Sequence, residues 1–224
     1  MFRVVIFDVD GVLLDSLRGH LQYCEDKNKE YGLGIVVPTP AIFRRMVRAG
    51  VKISPMFDFF LAVGFPKDVA EKADIAYRVE FADRYPSPLF ANTGPMLTQL
   101  KQAGITLGIV TSNVRSNIEI PLAGVLDLFD EDLIICKDSR LYTSKAQVLG
   151  HLLESLLIPP TNLLYIGDQP ADADAARNND IPFLGVSYGW CFDKTTPESF
   201  PVVDRPEAIA DFVFRGINAA ELRV

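Results

Sequence analysis

The chain has 224 residues, of which 49% are hydrophobic and 23% charged, and its formal net charge is -7 at pH 7. This is the balance of a globular protein, and the length suits a core domain that carries one insertion. The negative charge argues against binding to nucleic acid or an acidic membrane, because the phosphates of both would be repelled. The cysteines Cys24, Cys136 and Cys191 form no CxxC pair and predict neither a disulfide framework nor a zinc site. No apolar run approaches the ~20 residues of a membrane helix, so we expect a cytoplasmic protein.

Short apolar runs recur along the chain, at residues 3–7, 105–110, 133–135, 163–166 and 183–186. Their near-continuous apolarity is typical of strands that are covered on both faces. Helices are predicted between them, most clearly at 93–103 and from Ser144 to the Pro159-Pro160 pair. The alternation predicts an α/β fold with a doubly wound, mostly parallel sheet.

Residues 16–85 break this alternation. Helical patterns occur at 41–51, 56–63 and 69–85, separated by Pro and Gly, and no strand of the sheet type is evident. We therefore predict an all-helical insertion at 16–85 and a core made of 1–15 and 86–224.

Polar side chains follow the strands of the predicted sheet, where ligands bind in doubly wound folds. Three or four carboxylates, a hydroxyl and one ammonium are expected at this edge. The segments that supply them are Asp8 and Asp10 after the first strand, Thr111, Ser112 and Asn113 after the second, Lys145 at a helix start, and Asp168 and Asp172 after the fourth.

The pair Asp8 and Asp10 is more informative than either residue alone. Side chains two apart in an extended segment point the same way, so two like charges would converge at a cost. A divalent cation between them, or a proton on one of them, would offset that cost. Asp168 and Asp172 add hard oxygen ligands of the type that Mg²⁺ prefers.

These segments together resemble the haloacid dehalogenase superfamily, in its phosphoglycolate phosphatase and beta-phosphoglucomutase-like subgroup with a helical cap. The resemblance rests on Phe7-Asp8-Val9-Asp10-Gly11, Ile109-Val110-Thr111-Ser112-Asn113, Lys145 and Gly167-Asp168-Gln169-Pro170-Ala171-Asp172. It implies a Mg²⁺-dependent phosphoric monoester hydrolase that acts on a small phosphorylated metabolite. Residues 16–85 would be the cap.

The resemblance also implies roles. Asp8 would be the nucleophile that becomes an aspartyl-phosphate, and Asp10 the general acid and base. Asp8, Asp168 and the Asp10 carbonyl would hold Mg²⁺, with Asp172 as a further ligand. Phosphoryl oxygens would be bound by Thr111, Ser112, Asn113 and Lys145, with Lys137 as the competing lysine.

Two other functions stay open. A phosphosugar mutase would fit His20 early in the cap and a basic cluster, Arg44, Arg45 and Arg48, that could hold a second phosphate. Of these, His20, Arg45 and Arg48 are the candidate substrate residues. A non-catalytic phospho-acceptor or binding module is the alternative of another class. The sequence indicates neither the substrate nor whether the protein is a monomer or a homodimer.

Overall fold

The computed structural model describes residues 2–193 and 199–221, and within them it forms a parallel sheet of six strands. The strands are β1 (Val4–Phe7), β2 (Thr106–Val110), β3 (Ile134–Ile135), β4 (Leu163–Gly167), β5 (Phe183–Val186) and β6 (Val202–Val203), in the order β3-β2-β1-β4-β5-β6. After β1, the chain adds β2 and β3 on one side of it and then β4, β5 and β6 on the other. The strand order therefore reverses at β1, and the carboxyl end of β1 lies at a topological switch point. The predicted α/β class is confirmed.

Helices cover the sheet and form the inserted region. They are α1 (Leu17–Tyr31), α2 (Pro40–Arg48), α3 (Met56–Val63), α4 (Lys67–Arg84), α5 (Thr93–Gln102), α6 (Ser116–Leu122), α7 (Lys145–Leu156), α8 (Pro170–Arg177) and α9 (Glu207–Glu221). Strand and helix bounds lie within a few residues of the predicted ones. The sequence missed β6, because two half-buried valines give no periodicity to recognise.

The alternation of side chains along the strands creates a core on each face of the sheet. On β1, Val5 and Phe7 join one buried cluster and Val4 and Ile6 the other. All four are buried, as expected for a central strand with both faces covered.

A third buried cluster lies within α1 to α4, built largely from aromatic side chains such as Phe43, Phe59 and Phe60. Trp190 and Cys191, from the loop after β5, pack into the same cluster. The bounds predicted for the two parts of the chain, 1–15 with 86–224 and 16–85, stay a prediction. None of the described helices is both long and apolar enough to cross a membrane.

Candidate active site

Asp8 and Asp10 meet at the carboxyl end of the central strand β1. Both line a small pocket of about 40 Å³, together with Thr111, Lys145 and other residues. Asp8 is buried and Asp10 half-buried. Burial raises the pKa of Asp8 to about 7, although the nearby Lys145 acts in the opposite direction. The carboxylate is therefore costly to ionise unless a further positive charge is supplied.

Lys145 is the lysine that reaches Asp8. Ser144 caps α7 by accepting a hydrogen bond from the Gln147 amide, and this sets Lys145 in the first turn. The Lys145 Nζ lies 2.8 Å from Asp8 Oδ2 and 2.6 Å from Asp172 Oδ1. Burial alone would lower the pKa of Lys145, but the charges of Asp172 and Asp8 raise it well above its ordinary value. The ammonium thus stays charged beside the predicted nucleophile.

The segment after β2 lies against the same pocket. Thr111 is buried, and its Oγ1 accepts a hydrogen bond from the Asn113 amide at 3.1 Å. The Ser112 hydroxyl lies 2.9 Å from the Tyr142 hydroxyl. These hydroxyls are placed where phosphoryl oxygens could accept from them.

Asn113 binds the side chain of Asp10, a contact that the sequence did not indicate. Its Nδ2 donates to Asp10 Oδ2 at 2.8 Å and lies 3.1 Å from the hydroxyl of Tyr77, a residue of α4. Its Oδ1 accepts from the Val114 amide at 2.9 Å and from Asn117 at 3.1 Å. The side chain is fully occupied, so it orients Asp10 rather than offering a free donor to phosphate.

Three buried carboxylates form a group suited to a cation. Asp8, Asp168 and Asp172 each place one oxygen within 4.8 Å of the others. Asp168 Oδ2 accepts from the Trp190 amide at 2.6 Å, while Oδ1 is buried with no hydrogen-bond partner among the described residues. Burial, with the charges of Asp172 and Asp8, raises the pKa of Asp168 well above its ordinary value. An orphaned buried oxygen in a cluster of like charges fits a divalent cation.

Asp172 differs from the other two. Its Oδ1 accepts from Lys145 and, at 3.2 Å, from the Tyr165 hydroxyl, and its Oδ2 accepts from the Gln169 amide at 3.1 Å. Both oxygens are engaged, so Asp172 suits an outer position that holds Lys145 better than direct contact with a cation.

Glycines allow the close approach around Asp168. A Cβ on Gly11, whose φ is +82°, would lie 2.1 Å from Asp168 Oδ2, and a Cβ on Gly189 would lie 2.6 Å from the same atom. Neither position accommodates a side chain without displacing the carboxylate. Gly189 and the Trp190 amide were not recognised from the sequence, since backbone contacts of this kind leave no residue pattern.

The predicted substrate residues are placed differently. His20 lines the pocket, but it is buried and both ring nitrogens are engaged, Nδ1 with the Ser16 carbonyl at 2.8 Å and Nε2 with the Tyr77 hydroxyl at 2.9 Å. Aromatic rings of Phe59, Tyr77, Phe81 and Trp190 surround it. This environment gives His20 a structural role in the inserted region.

The arginines of α2 fasten that helix to the loop after β5. Arg44 Nε donates to the Gly189 carbonyl at 3.2 Å, and Arg48 Nε donates to the Cys191 carbonyl at 2.8 Å. Arg48 also pairs with Asp193 at 2.8 Å. Arg45 is exposed, and neither it nor Arg48 lines the pocket around Asp8. The geometry thus gives no support to a substrate role for Arg45 or Arg48.

We expect His20 to make stability fall in mild acid. Burial lowers the pKa of His20 below its usual value of 6.5, although the charge of Asp10 acts to raise it. Below pH 6.5 the histidine is protonated in the unfolded chain but stays neutral in the folded chain. The contribution of His20 to the free energy of unfolding is therefore complete above pH 6.5 and is lost as the pH falls. The loss amounts to at most ~1.4 kcal/mol for each pH unit.

Urea unfolding of the wild type and of His20→Gln across this pH range measures the effect. The stability of the wild type relative to the variant should fall with acidification. Identical slopes for the wild type and His20→Gln would contradict the neutral buried state.

Comparison with known proteins agrees with this geometry. The model of the family described as haloacid dehalogenase-like hydrolase matches residues 5–186. The chain belongs to this family. The match spans every segment that carries a site residue, from Asp8 to Asp172, and the predicted superfamily is confirmed.

Individual relatives differ in activity. The tyrosine-protein kinase PtkA of Mycobacterium tuberculosis is 30% identical over 84% of this chain, and the alignment spans 63% of the length of that relative. The N-acetylmuramic acid 6-phosphate phosphatase of Pseudomonas putida is 29% identical over 91% of this chain and 92% of its own. Relatives of the second kind support the predicted phosphoric monoester hydrolase.

The fold itself is shared with solved structures. A crystal structure of a predicted phosphoglycolate phosphatase from Haemophilus somnus superposes with a TM-score of 0.72 at 19% identity, covering 95% of this chain and 98% of that one. This likeness shows that the two proteins share their fold over nearly the whole of both chains.

Proposed function

We propose that this haloacid dehalogenase-like hydrolase is a Mg²⁺-dependent phosphatase that releases phosphate from a small phosphorylated metabolite. One observation carries the proposal. The buried carboxylate of Asp8 lies at the end of the central strand, in contact with Lys145, in one pocket with Asp10 and within 4.8 Å of a carboxylate oxygen of Asp168. A nucleophile, a proton carrier, a cation site and a fixed ammonium thus surround one pocket.

The first half of the reaction would proceed on Asp8. One carboxylate oxygen attacks phosphorus in line and forms a new P–O bond while the ester P–O bond breaks. Asp10, held by the Asn113 amide at 2.8 Å, gives its proton to the departing alcohol oxygen. The Lys145 ammonium and the Thr111 hydroxyl stabilise the charge on the phosphoryl oxygens.

The second half would return the enzyme to its starting state. Asp10, now a carboxylate, takes a proton from a water molecule, whose oxygen attacks phosphorus as the bond to Asp8 breaks. Inorganic phosphate leaves, and Asp10 is again protonated. Splitting the reaction in this way lets one carboxyl group serve as acid and then as base.

The residues present fit the expected cation. Asp8 and Asp168 would hold Mg²⁺, with the Asp10 carbonyl as a third protein ligand and Asp172 in an outer position. When bound, the ion supplies positive charge that offsets the clustered carboxylates and the incoming phosphate.

The names of two relatives indicate different phosphoryl acceptors. The P. putida relative is a phosphatase, which transfers to water, and PtkA is a kinase, which transfers to tyrosine. The pocket around Asp8 measures about 40 Å³, and a small acceptor fits it best. A mutase would need a second phosphate site. Of the three arginines predicted for it, Arg44 donates to the Gly189 carbonyl, Arg48 already binds Asp193, and Arg45 does not line the pocket around Asp8.

A single assay distinguishes these outcomes. The protein is incubated with Mg²⁺ and a panel of phosphate monoesters, including N-acetylmuramic acid 6-phosphate, phosphoglycolate, sugar phosphates and an aryl phosphate, and inorganic phosphate is measured. A parallel reaction contains ATP with a radioactive γ-phosphate and tyrosine-containing protein. Release of phosphate to water supports the proposal, whereas labelled protein, or isomerised sugar phosphate without release, would overturn it.

We expect Asp168→Asn to weaken the binding of Mg²⁺ and, with it, to abolish the phosphatase activity. The substitution takes away the negative charge of the oxygen that lacks a partner, so Mg²⁺ binding should weaken by at least ~10-fold. Calorimetric titration with Mg²⁺ measures this directly, without substrate.

Asp180→Asn is the matched control for this variant. Asp180 is exposed, and its φ of 55° suits asparagine as well as aspartate. Wild-type Mg²⁺ affinity in Asp168→Asn would contradict the assignment of the site.

A further inference from the structure

A larger cavity opens beside the catalytic pocket. It measures about 440 Å³, against about 40 Å³ for the pocket around Asp8. Ser54, Ser112, Lys145 and Gln169 line both, so the two spaces adjoin. The smaller pocket has room for about one phosphoryl group, because a cavity needs at least about 10–15 Å³ on this measure to hold a single water molecule. The alcohol part of a substrate must therefore extend into the larger cavity.

The charged residues that line this cavity are Lys137, Lys145, Asp172 and Asp174. Lys145 pairs with Asp172, and Asp174 pairs with Arg177. Lys137 forms no ion pair and no side-chain hydrogen bond with any residue that the structure describes. Burial lowers the pKa of Lys137, and the charge of Arg78 acts in the same direction, so its ammonium is held in a partly dry place with no carboxylate in ion-pair contact among the described residues.

Two carboxylates of the inserted region act on Lys137 from a distance. They belong to Asp74 and Asp58, whose charges favour the ammonium form. Each already has a closer partner, since Asp58 lies 2.7 Å from the Lys52 ammonium and Asp74 lies 2.5 Å from the Arg78 guanidinium. The Lys137 ammonium thus lies at the wall of the cavity without a carboxylate in direct contact among the described residues.

We propose that Lys137 binds a carboxylate on the alcohol part of the substrate, so that the enzyme selects phosphate monoesters of hydroxy acids or sugar acids. The inference rests on the proposed phosphatase function and adds the substrate class to it. An anion in the cavity supplies the counter-charge that Lys137 lacks and favours its charged form. Hydroxyl groups of Ser54, Thr143 and the Ser112–Tyr142 pair line the same space and suit a polar, hydroxylated chain.

Lys137 has no place in the catalytic pocket itself. It does not line the space around Asp8, where Lys145 supplies the ammonium. Its effect should therefore depend on the chemistry of the alcohol part and not on the phosphoryl group. Lys137 is a specificity-determining residue in this account.

Matched pairs of substrates test the assignment. In each pair a carboxylate is replaced by a CH₂OH group on an otherwise identical chain: phosphoglycolate against 2-hydroxyethyl phosphate, and 6-phosphogluconate against sorbitol 6-phosphate. The quantity measured is the ratio of kcat/KM within a pair, with a generic aryl phosphate as a test of activity. The proteins are the wild type, Lys137→Met, Lys137→Arg and the control Lys101→Met. Lys101 is exposed in the last turn of α5, shortly before β2 begins, and so lies at the amino ends of the strands, away from the site.

We expect the wild type to prefer the carboxylate by at least about 10-fold in one or both pairs, the size expected for a hydrogen bond to a charged group. Lys137→Met should abolish the preference, Lys137→Arg should retain much of it, and Lys101→Met should match the wild type. A wild-type ratio near one, a preference for CH₂OH, or an unchanged ratio in Lys137→Met overturns the role of Lys137 and leaves the phosphatase standing. Failure to hydrolyse every ester, the aryl phosphate included, overturns both.

Discussion

Replacing Asp8 by Asn should reduce phosphatase activity by about 10⁴-fold or more, the scale seen when a catalytic nucleophile is removed. An amide has no anionic oxygen to attack phosphorus. The measurement is the steady-state release of phosphate from an aryl phosphate at saturating Mg²⁺. The loss should appear in kcat, because the covalent step itself disappears.

Stability should not explain this loss. Asp8 lies among buried like charges, and burial raises its pKa to about 7, so a neutral side chain of the same shape relieves the cluster while Lys145 keeps Asp172 as a partner. In chelator, Asp8→Asn should unfold at or above the temperature of the wild type. The exposed Asp180→Asn should keep full activity. Activity of Asp8→Asn within 10-fold of the wild type would contradict the proposed nucleophile.

Replacing Asp10 by Asn should cost about 10² to 10⁴ in rate, the range of general acid–base catalysis. The cost should depend on the leaving group. An aryl phosphate expels a weakly basic oxygen that needs little protonation, so its hydrolysis should suffer less than that of an alkyl phosphate. The amide oxygen of an asparagine at position 10 can still accept the hydrogen bond from Asn113 Nδ2, so the side chain should keep its orientation.

The test is the ratio of alkyl to aryl phosphate turnover in the wild type and in Asp10→Asn. The ratio should fall in the variant. An equal loss for both leaving groups would show that Asp10 does not protonate the alcohol. Asn113→Ala offers a second view, since loss of its hydrogen bond to Asp10 should give a smaller change in the same direction.

The segments that carry chemistry were predictable because parallel topology makes sequence order into spatial order. Strands β1, β2 and β4 lie side by side, so the residues after each of them converge at one edge. Asp8, Thr111 and Asp168 could thus be placed together from three apolar runs alone. Lys145 followed from its position at the start of a helix with a clear apolar stripe.

Contacts between the inserted helices and the sheet were not predictable in this way. Asn113 meets Tyr77 of α4 and Asp10 at once, across 36 and 103 residues of sequence. The basic residues Arg44, Arg45 and Arg48 leave a second phosphate site open when only the sequence is considered. In the structure Arg44 and Arg48 bind carbonyl groups of the loop after β5. Nothing in a pattern of basic residues distinguishes an anion from a backbone carbonyl as the partner.

The support of Asp168 was hidden for a related reason. Its Oδ2 is held by a main-chain amide, that of Trp190, and its space is kept open by two glycines. Every residue has an amide, so no residue type marks this contact. Tertiary structure alone shows which amide points at the carboxylate.

The covalent intermediate is the most direct test of the central claim. The enzyme is quenched in acid during turnover of a phosphate monoester with Mg²⁺ and then treated with borohydride, which reduces an aspartyl-phosphate to homoserine, and peptides are mapped by mass spectrometry. We predict homoserine at position 8, absent in Asp8→Asn and in enzyme quenched without substrate. Sustained phosphate release with an unmodified position 8, or modification at another residue, would contradict the account.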